Sequence, residues 1–313
     1  MPEQHTPTGH LMLQVFQRAA LWIGLALCLF AAWKLLADVQ GLDVPGPASI
    51  GALLALLLLA WACVVAGWRL LVQAFLGEPL PWITALRQSG LLLIGKYIPG
   101  GIFGLLARAT DPTGGHSHAR LLGVGIYEQV GTITLVGTNG LVLVASAMVN
   151  LRLLVLLPLV PLAPVAAILV LHRLLRRMTL PRMLQAVEQV QELQPSAGRL
   201  ARSMYVTHVS ALAWSAIVAW LAVDLFSQPP IDALGLGGAF GLAITAGALA
   251  FFAPGGIGVR EMSMAGLATL WLPMQQALAL AALLRLLAVI LDIAAGVSAV
   301  LLPNRQAPLH TGQ

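Results

Sequence analysis

Residues 50–67 read IGALLALLLLAWACVVAG, eighteen positions in succession without a charge. A run of that length is the span of a bilayer-crossing helix, because about 20 residues rising 1.5 Å each cover a hydrocarbon core about 30 Å thick. Comparable runs recur to the end of the chain. Of the 313 residues, 59% are hydrophobic and only 9% charged, against about 25% charged in an ordinary soluble domain. Such a chain cannot cover itself with polar surface. A membrane β-barrel is a poor fit, since its strands alternate over about ten residues and these runs do not alternate. The expected class is an all-α polytopic membrane protein, one transmembrane domain over 1–313.

Full spans are expected at about 19–37, 48–68, 121–148, 151–172, 203–226 and 275–302. Two apolar segments, 82–107 and 234–272, are broken by Pro and Gly, and a polar basic linker covers 172–202. The N-terminal segment carries one Arg and no persuasive cleavage site, so it reads as an uncleaved first span rather than a signal peptide. Cys28 and Cys63 lie inside apolar runs and read as packing residues. The net charge of +5 is no nucleic-acid signature, because the arginines gather in loops where they set topology.

The linker holds Arg173, Arg176, Arg177, Arg182, Arg199 and Arg202 against Glu188 and Glu192, which places it in the cytoplasm. The turns with Asp38 and Asp43, and with Asp232, then face outward, while Arg69, Arg87, Arg108 and Arg120 lie inside. If 82–107 crossed the membrane once, every later loop would invert and the Arg-rich linker would face out. The economical solution is a hairpin entering from the cytoplasm and returning. The same logic makes 234–272 enter from outside. The expectation is six full spans plus two re-entrant helical hairpins, with both termini cytoplasmic. Within the linker, 179–194 carries Leu180, Met183, Leu184, Val187 and Val190 on one face. It either lies on the anionic inner leaflet or packs as a short solvated helix.

The two broken segments share a motif. Pro99, Gly100, Gly101 and Ile102 align with Pro254, Gly255, Gly256 and Ile257, and a further glycine follows in each, Gly104 and Gly258, offset by one place. One Pro-Gly-Gly alone reads as a loop or kink. Two in inverted surroundings read as paired hairpin tips lining a common cavity, with repeat A over about 48–148 and repeat B over about 203–302. Inverted repeats with broken helices are a common transporter plan, and irregular backbone at membrane depth is tolerated only where protein buries it or a cavity hydrates it.

Ionisable residues inside spans are functional candidates by default. Glu128 and Arg285 occupy near-equivalent places in the two repeats and have opposite signs, which points to a pair or a polar centre; a purely structural ion pair is the plainer reading. Asp292 is seven residues beyond Arg285, on the same helical face. Arg260 and Glu261 follow the second Pro-Gly-Gly and are otherwise read as solvated at the hairpin mouth. Lys96, Arg108, Arg260 and Arg285 together would make a cavity attractive to a phosphate, aided by helix N-termini. Glu128, Glu261 and Asp292 would balance charge or gate. GLGGAFG at 235–241 has a dinucleotide-like spacing but no preceding strand, so it reads as close helix packing. His116 and His118 read as loop residues. No Ser-His-Asp set, nucleotide loop or Cys/His cluster appears, so no metal, cofactor or catalytic constellation is expected.

KYIPGGIFGLLARA at 96–109, Glu128 in the span that follows, APGGIGVRE at 253–261 and Arg285 in the last span resemble the flippase-like transmembrane region of lysylphosphatidylglycerol synthases, the membrane half of the multiple peptide resistance factor. That region also exists as free-standing membrane proteins of about this length. The resemblance covers nearly the whole chain. It implies a bacterial inner-membrane protein that moves a lipid between leaflets, the cargo being an anionic phospholipid, an aminoacylated lipid or a prenyl-phosphate lipid. No acyltransferase-like domain follows in these residues, so synthase activity is not expected. The alternatives are a membrane enzyme acting on a lipid-linked substrate, with Glu128 as its only obvious acid or base, and a non-transporting partner of a lipid-synthesising enzyme.

Overall fold

The computed structural model describes residues 46–97, 103–111, 116–177, 193–250, 253 and 256–302. The expected first span at 19–37, the amphipathic stretch at 179–194 save its last two residues, Cys28, and Pro99, Gly100, Gly101, Pro254 and Gly255 lie outside them. The described chain is helical, with no strand. In order it forms α1 (Pro47–Leu76), α2 (Trp82–Gly95), α3 (Phe103–Ala109), α4 (His118–Met148), a 3-10 stretch (Leu151–Leu159), α5 (Leu162–Leu175), α6 (Ala197–Phe226), α7 (Pro230–Leu249), α8 (Val259–Ala268) and α9 (Met274–Leu301). Among the described residues, α1, α4, α6, α7 and α9 are each long and apolar enough to cross a membrane. The protein is a multi-pass α-helical membrane protein.

Local chemistry fixes the ends. Pro47 and Pro230 stand at helix starts, where a missing N–H costs nothing. Ser117 caps α4 by accepting from the Arg120 N–H. Gly77, at φ 88°, ends α1 in a conformation that favours glycine. The burial pattern is that of a helix in lipid. On α9, Arg285 and Asp292 are buried while Ile290, Ile293 and Val297 are exposed, the reverse of a water-facing surface.

Two expectations change. The span at 151–172 is not one straight helix: its first half is 3-10 with Pro158 inside, and α5 follows at a bend of 44°. Pro158, Pro161 and Pro164 supply no backbone N–H, so the regular i→i−4 ladder cannot run through. The second broken segment also begins earlier than expected, since α7 starts at Pro230 and has twenty residues.

Both broken segments double back. A methyl on Gly95 would meet the Gly104 backbone, and one on Gly104 the Leu92 carbonyl at 2.6 Å. Farther back along the same two helices, Arg108 contacts Gln88, and Arg87 pairs with Asp111 at 3.0 Å. Partners that move in opposite directions along the chain define antiparallel packing of α2 on α3. Likewise Gly256 abuts Gly247 at 3.0 Å and Gly235 lies against the Trp271 ring, so α7 and α8 are antiparallel and the chain returns to the end it left.

The packing has an exchange pattern. α1 packs on α6; α4 on α7 and α9 on α2; α6 on α7 and α1 on α2; α3 on α4 and α8 on α9; α1 on α4 and α6 on α9. Substituting α1 for α6, α2 for α7, α3 for α8 and α4 for α9 maps the α1–α6 pair onto itself and each other pair onto its companion. The contact of α4 with α6 has no counterpart of similar extent between α9 and α1. One core lies among α6–α9 around Ile217, Leu236, Phe240, Met264 and Leu284; the other lies around Trp68, Leu71, Tyr127, Ile168 and Met204.

The α4–α7 contact depends on glycine. A methyl on Gly140 would meet the Gly238 carbonyl at 2.8 Å, one on Gly238 the Gly140 carbonyl at 2.8 Å, and one on Gly241 the Val136 carbonyl at 2.9 Å. This is the close approach that GLGGAFG implies. Gly238→Val is expected to cost on the order of 3 kcal/mol by overpacking, read as a lowered Tm in detergent. Gly266→Ala, where nothing lies within 4 Å of the added methyl, should leave Tm unchanged or raise it slightly.

Candidate functional site: a cationic cluster between the two helix pairs

α2 ends at Gly95, and its C-terminal turn presents Lys96 and Tyr97 to α9. The Lys96 ammonium lies 2.8 Å from Asp292 Oδ2, and the Tyr97 hydroxyl donates to the same oxygen at 2.5 Å. The Tyr97 ring has Lys96 Nζ 5.5 Å from its centroid and Arg285 Cζ also at 5.5 Å, an arrangement favoured by the ring quadrupole. α8 contributes Arg260 and Glu261. Arg260 lies over the Phe240 ring of α7 at 4.9 Å and within electrostatic range of Arg285, Glu261, Asp292 and Tyr97. Among the described residues it has no ion pair. Glu261 Oε2 accepts from the Gly258 N–H at 2.7 Å, tying the side chain to the start of α8. Its other oxygen lies 3.4 Å from Arg285 Nε, close enough for an ion pair but not placed for a hydrogen bond. The Arg285 side chain is 4% exposed, so its Nε–H is buried and unpartnered.

The glycines of the second motif make this possible. Gly256 and Gly258 sit at φ 69° and 85°, a region costly to residues with a Cβ. Gly104 of the first motif instead lies inside α3 and allows its approach to α2. The one-place offset between the third glycines therefore reflects two different jobs.

A second polar centre is separate. Arg108 on α3 pairs with Glu128 on α4, donates from Nε to the Gln88 carbonyl at 3.2 Å, and lies over the Trp68 ring at 3.9 Å. The Trp68 indole N–H donates to Gln88 Oε1 at 2.9 Å. Gln88 is eight residues before Lys96, about 12 Å along α2. Arg108 is thus held away from the cluster.

The structure brings together Lys96, Arg260, Arg285, Glu261 and Asp292 and leaves Arg108 and Glu128 apart. Glu128 faces Arg108, and Arg285 faces Glu261, so the two residues at equivalent positions do not pair with each other. Each instead reaches the short helix before it, with the signs exchanged. Arg260 and Glu261 are half-buried and engaged with α7 and α9, not solvated at a hairpin mouth. Tyr97, Phe240, Gln88 and Trp68 are absent from the sequence-based set. Tyr97 carries a usable signal, because a phenol next to a lysine in an apolar segment needs a hydrogen-bond partner. No group of three or more His, Cys, Asp or Glu placed to hold a metal occurs among the described residues. No protein-family model, no curated protein and no solved structure matches the chain.

The Arg108–Glu128 pair has Arg108 at 1% and Glu128 at 12% side-chain exposure. Removing one partner leaves a buried charge uncompensated, at about 3–5 kcal/mol. Glu128→Ala should lower stability by that amount in detergent unfolding. The double variant Arg108→Met with Glu128→Leu should recover most of it, because no lone charge then remains.

Proposed function

We propose that this protein is a lipid translocase of the bacterial inner membrane, moving a phosphate-bearing lipid between leaflets. The observation that carries the reading is the convergence of Lys96, Arg260 and Arg285 from three separate helical segments, with Arg260 lacking an ion pair among the described residues and the Arg285 Nε–H unpartnered. Three cations face two carboxylates, Glu261 and Asp292, so the cluster has one positive charge in excess. A group of this sign inside a lipid-facing helical assembly calls for an anion, and a lipid phosphate is the anion that reaches such depth with its tails still in hydrocarbon.

In this reading the antiparallel pairs α2/α3 and α7/α8 are re-entrant hairpins entering from opposite sides, and the chain is an inverted-topology repeat. The exchange pattern of the packing supports it, as do the two sign-exchanged ion pairs, Arg108–Glu128 and Glu261–Arg285. The arginine-rich linker faces the cytoplasm, with both termini on that side. Lys96, Arg260 and Arg285 hold the head group. Arg108, engaged by Glu128, braces the inner hairpin against α4. Rocking of one repeat against the other alternates access to the cluster.

The test is reconstitution in phosphatidylethanolamine/phosphatidylglycerol vesicles with fluorescently labelled phosphatidylglycerol. Dithionite quenching should reveal translocation well above that of empty vesicles, and Arg260→Ala should reduce it about tenfold or more, the scale of one charged contact. Rates equal to empty vesicles for phosphatidylglycerol, aminoacylated phosphatidylglycerol and a prenyl phosphate would count decisively against the proposal.

A further inference from the structure

We infer that Asp292 holds the position that a ligand phosphate takes on binding, and that Tyr97 is a head-group donor alongside Lys96. The inference rests on the proposed head-group site and adds its regulation. Its basis is the convergence on one carboxylate oxygen: Lys96 Nζ at 2.8 Å and the Tyr97 hydroxyl at 2.5 Å both address Asp292 Oδ2. One cation and one neutral O–H meeting at a single anionic oxygen is the coordination a phosphate oxygen takes. Both donors come from the C-terminal turn of α2, whereas the acceptor comes from α9, so the contact crosses between the two halves of the structure.

The rest of the cluster fits a stand-in. The Asp292 side chain is 6% exposed, and Lys96 is 32% exposed. The carboxylate side chain is therefore the more enclosed of the two. Arg285 lies with its Cζ 5.5 Å from the centroid of the same Tyr97 ring, and its Nε–H is buried and without a hydrogen bond. A phosphate that takes over Lys96 and Tyr97 from Asp292 therefore has a second cation beside the same ring, with which Asp292 forms no ion pair. Asp292 thus competes with the ligand, and its return to Lys96 and Tyr97 helps expel the ligand afterwards. A residue with a purely structural role would behave differently when neutralised: losing the buried ion pair would loosen the site and weaken binding.

Binding of dioctanoyl phosphatidylglycerol to the full-length protein in detergent, measured by calorimetry with dioctanoyl glycerol as the phosphate-free control, separates these outcomes. Asp292→Asn should tighten phosphatidylglycerol binding roughly five- to tenfold, the scale of one charge-assisted hydrogen bond released from competition. Tyr97→Phe keeps the ring beside the two cations and removes only the O–H, so it should weaken binding several-fold. Asp292→Ser, examined in parallel, carries the same expected sign should the Asn variant not yield monodisperse protein. Weaker or unchanged binding in a monodisperse Asp292 variant overturns the inference while leaving the head-group site standing. Tighter binding of the phosphate-free control to the same extent also overturns it. Absence of phosphatidylglycerol binding by the wild type and all variants overturns both the inference and the head-group site.

Discussion

Hydrocarbon offers no water to satisfy a backbone N–H, a carbonyl or a charge, and the architecture answers to that constraint. A helix may be interrupted at membrane depth only if protein surrounds the interruption or a cavity hydrates it. The helices flanking each Pro-Gly-Gly are accordingly drawn together by glycine, Gly95 on Gly104 and Gly247 on Gly256, and each first arm is laid against the last long helix of the opposite half. α2 is pressed into α9 so closely that a methyl on Gly90 would meet the Ala295 backbone. α7 meets α4 through Gly140, Gly238 and Gly241. Packing at backbone distance is the main attraction open to helices in lipid, where burying an apolar side chain gains little over leaving it among acyl chains.

The same constraint governs the charges. Arg199 does not wait for solvent; its Nη1 donates to the Gln73 and Gly77 carbonyls at the end of α1, at 3.4 and 3.1 Å. Arg87 joins Asp111 to the Leu302 carbonyl at the end of α9. Arginines that sequence reading treats purely as topology signals therefore also serve helix C-termini, where carbonyls lack intrahelical partners and the macrodipole favours a cation. Against this background Arg260 stands out, because it has no ion pair among the described residues; a buried N–H without a hydrogen bond occurs in both polar centres, at Arg285 Nε in one and at Arg108 Nη2 in the other.

Much of the fold was legible because membrane spans depend on composition along one dimension. The runs at 48–68, 121–148, 203–226 and 275–302 each appear as a long helix, the first and third extended by about two turns. The bend after residue 159 was also readable in principle from Pro158, Pro161 and Pro164. Side-chain pairing was not. Which acid meets which arginine depends on helix rotation and on which short helix lies alongside, and neither leaves a mark in spacing. Position in the repeat relates Glu128 to Arg285, whereas each reaches back to the preceding short helix. Charge groups Arg108 with Lys96, Arg260 and Arg285, yet the Gln88 carbonyl, eight residues before Lys96 on α2, and the Trp68 ring hold Arg108 apart from them.

The exchanged signs of the two ion pairs bear on what a translocating site would require. Arg108 with Glu128 sets one charge against another beside Gln88 and Trp68. Glu261 with Arg285 is a looser pair, and it shares its surroundings with Lys96, Arg260 and Asp292. Of these two centres the second alone carries an excess of positive charge, a single unit. A site with three unopposed cations would hold a phosphate too tightly to release it, and a neutral one would not draw it out of the leaflet. Entry and exit both need binding of intermediate strength, as for ions in a selectivity filter. Two carboxylates set beside three cations achieve that moderation. Tyr97, whose ring lies beside both Lys96 and Arg285, holds one of those carboxylates by donating to Asp292 Oδ2.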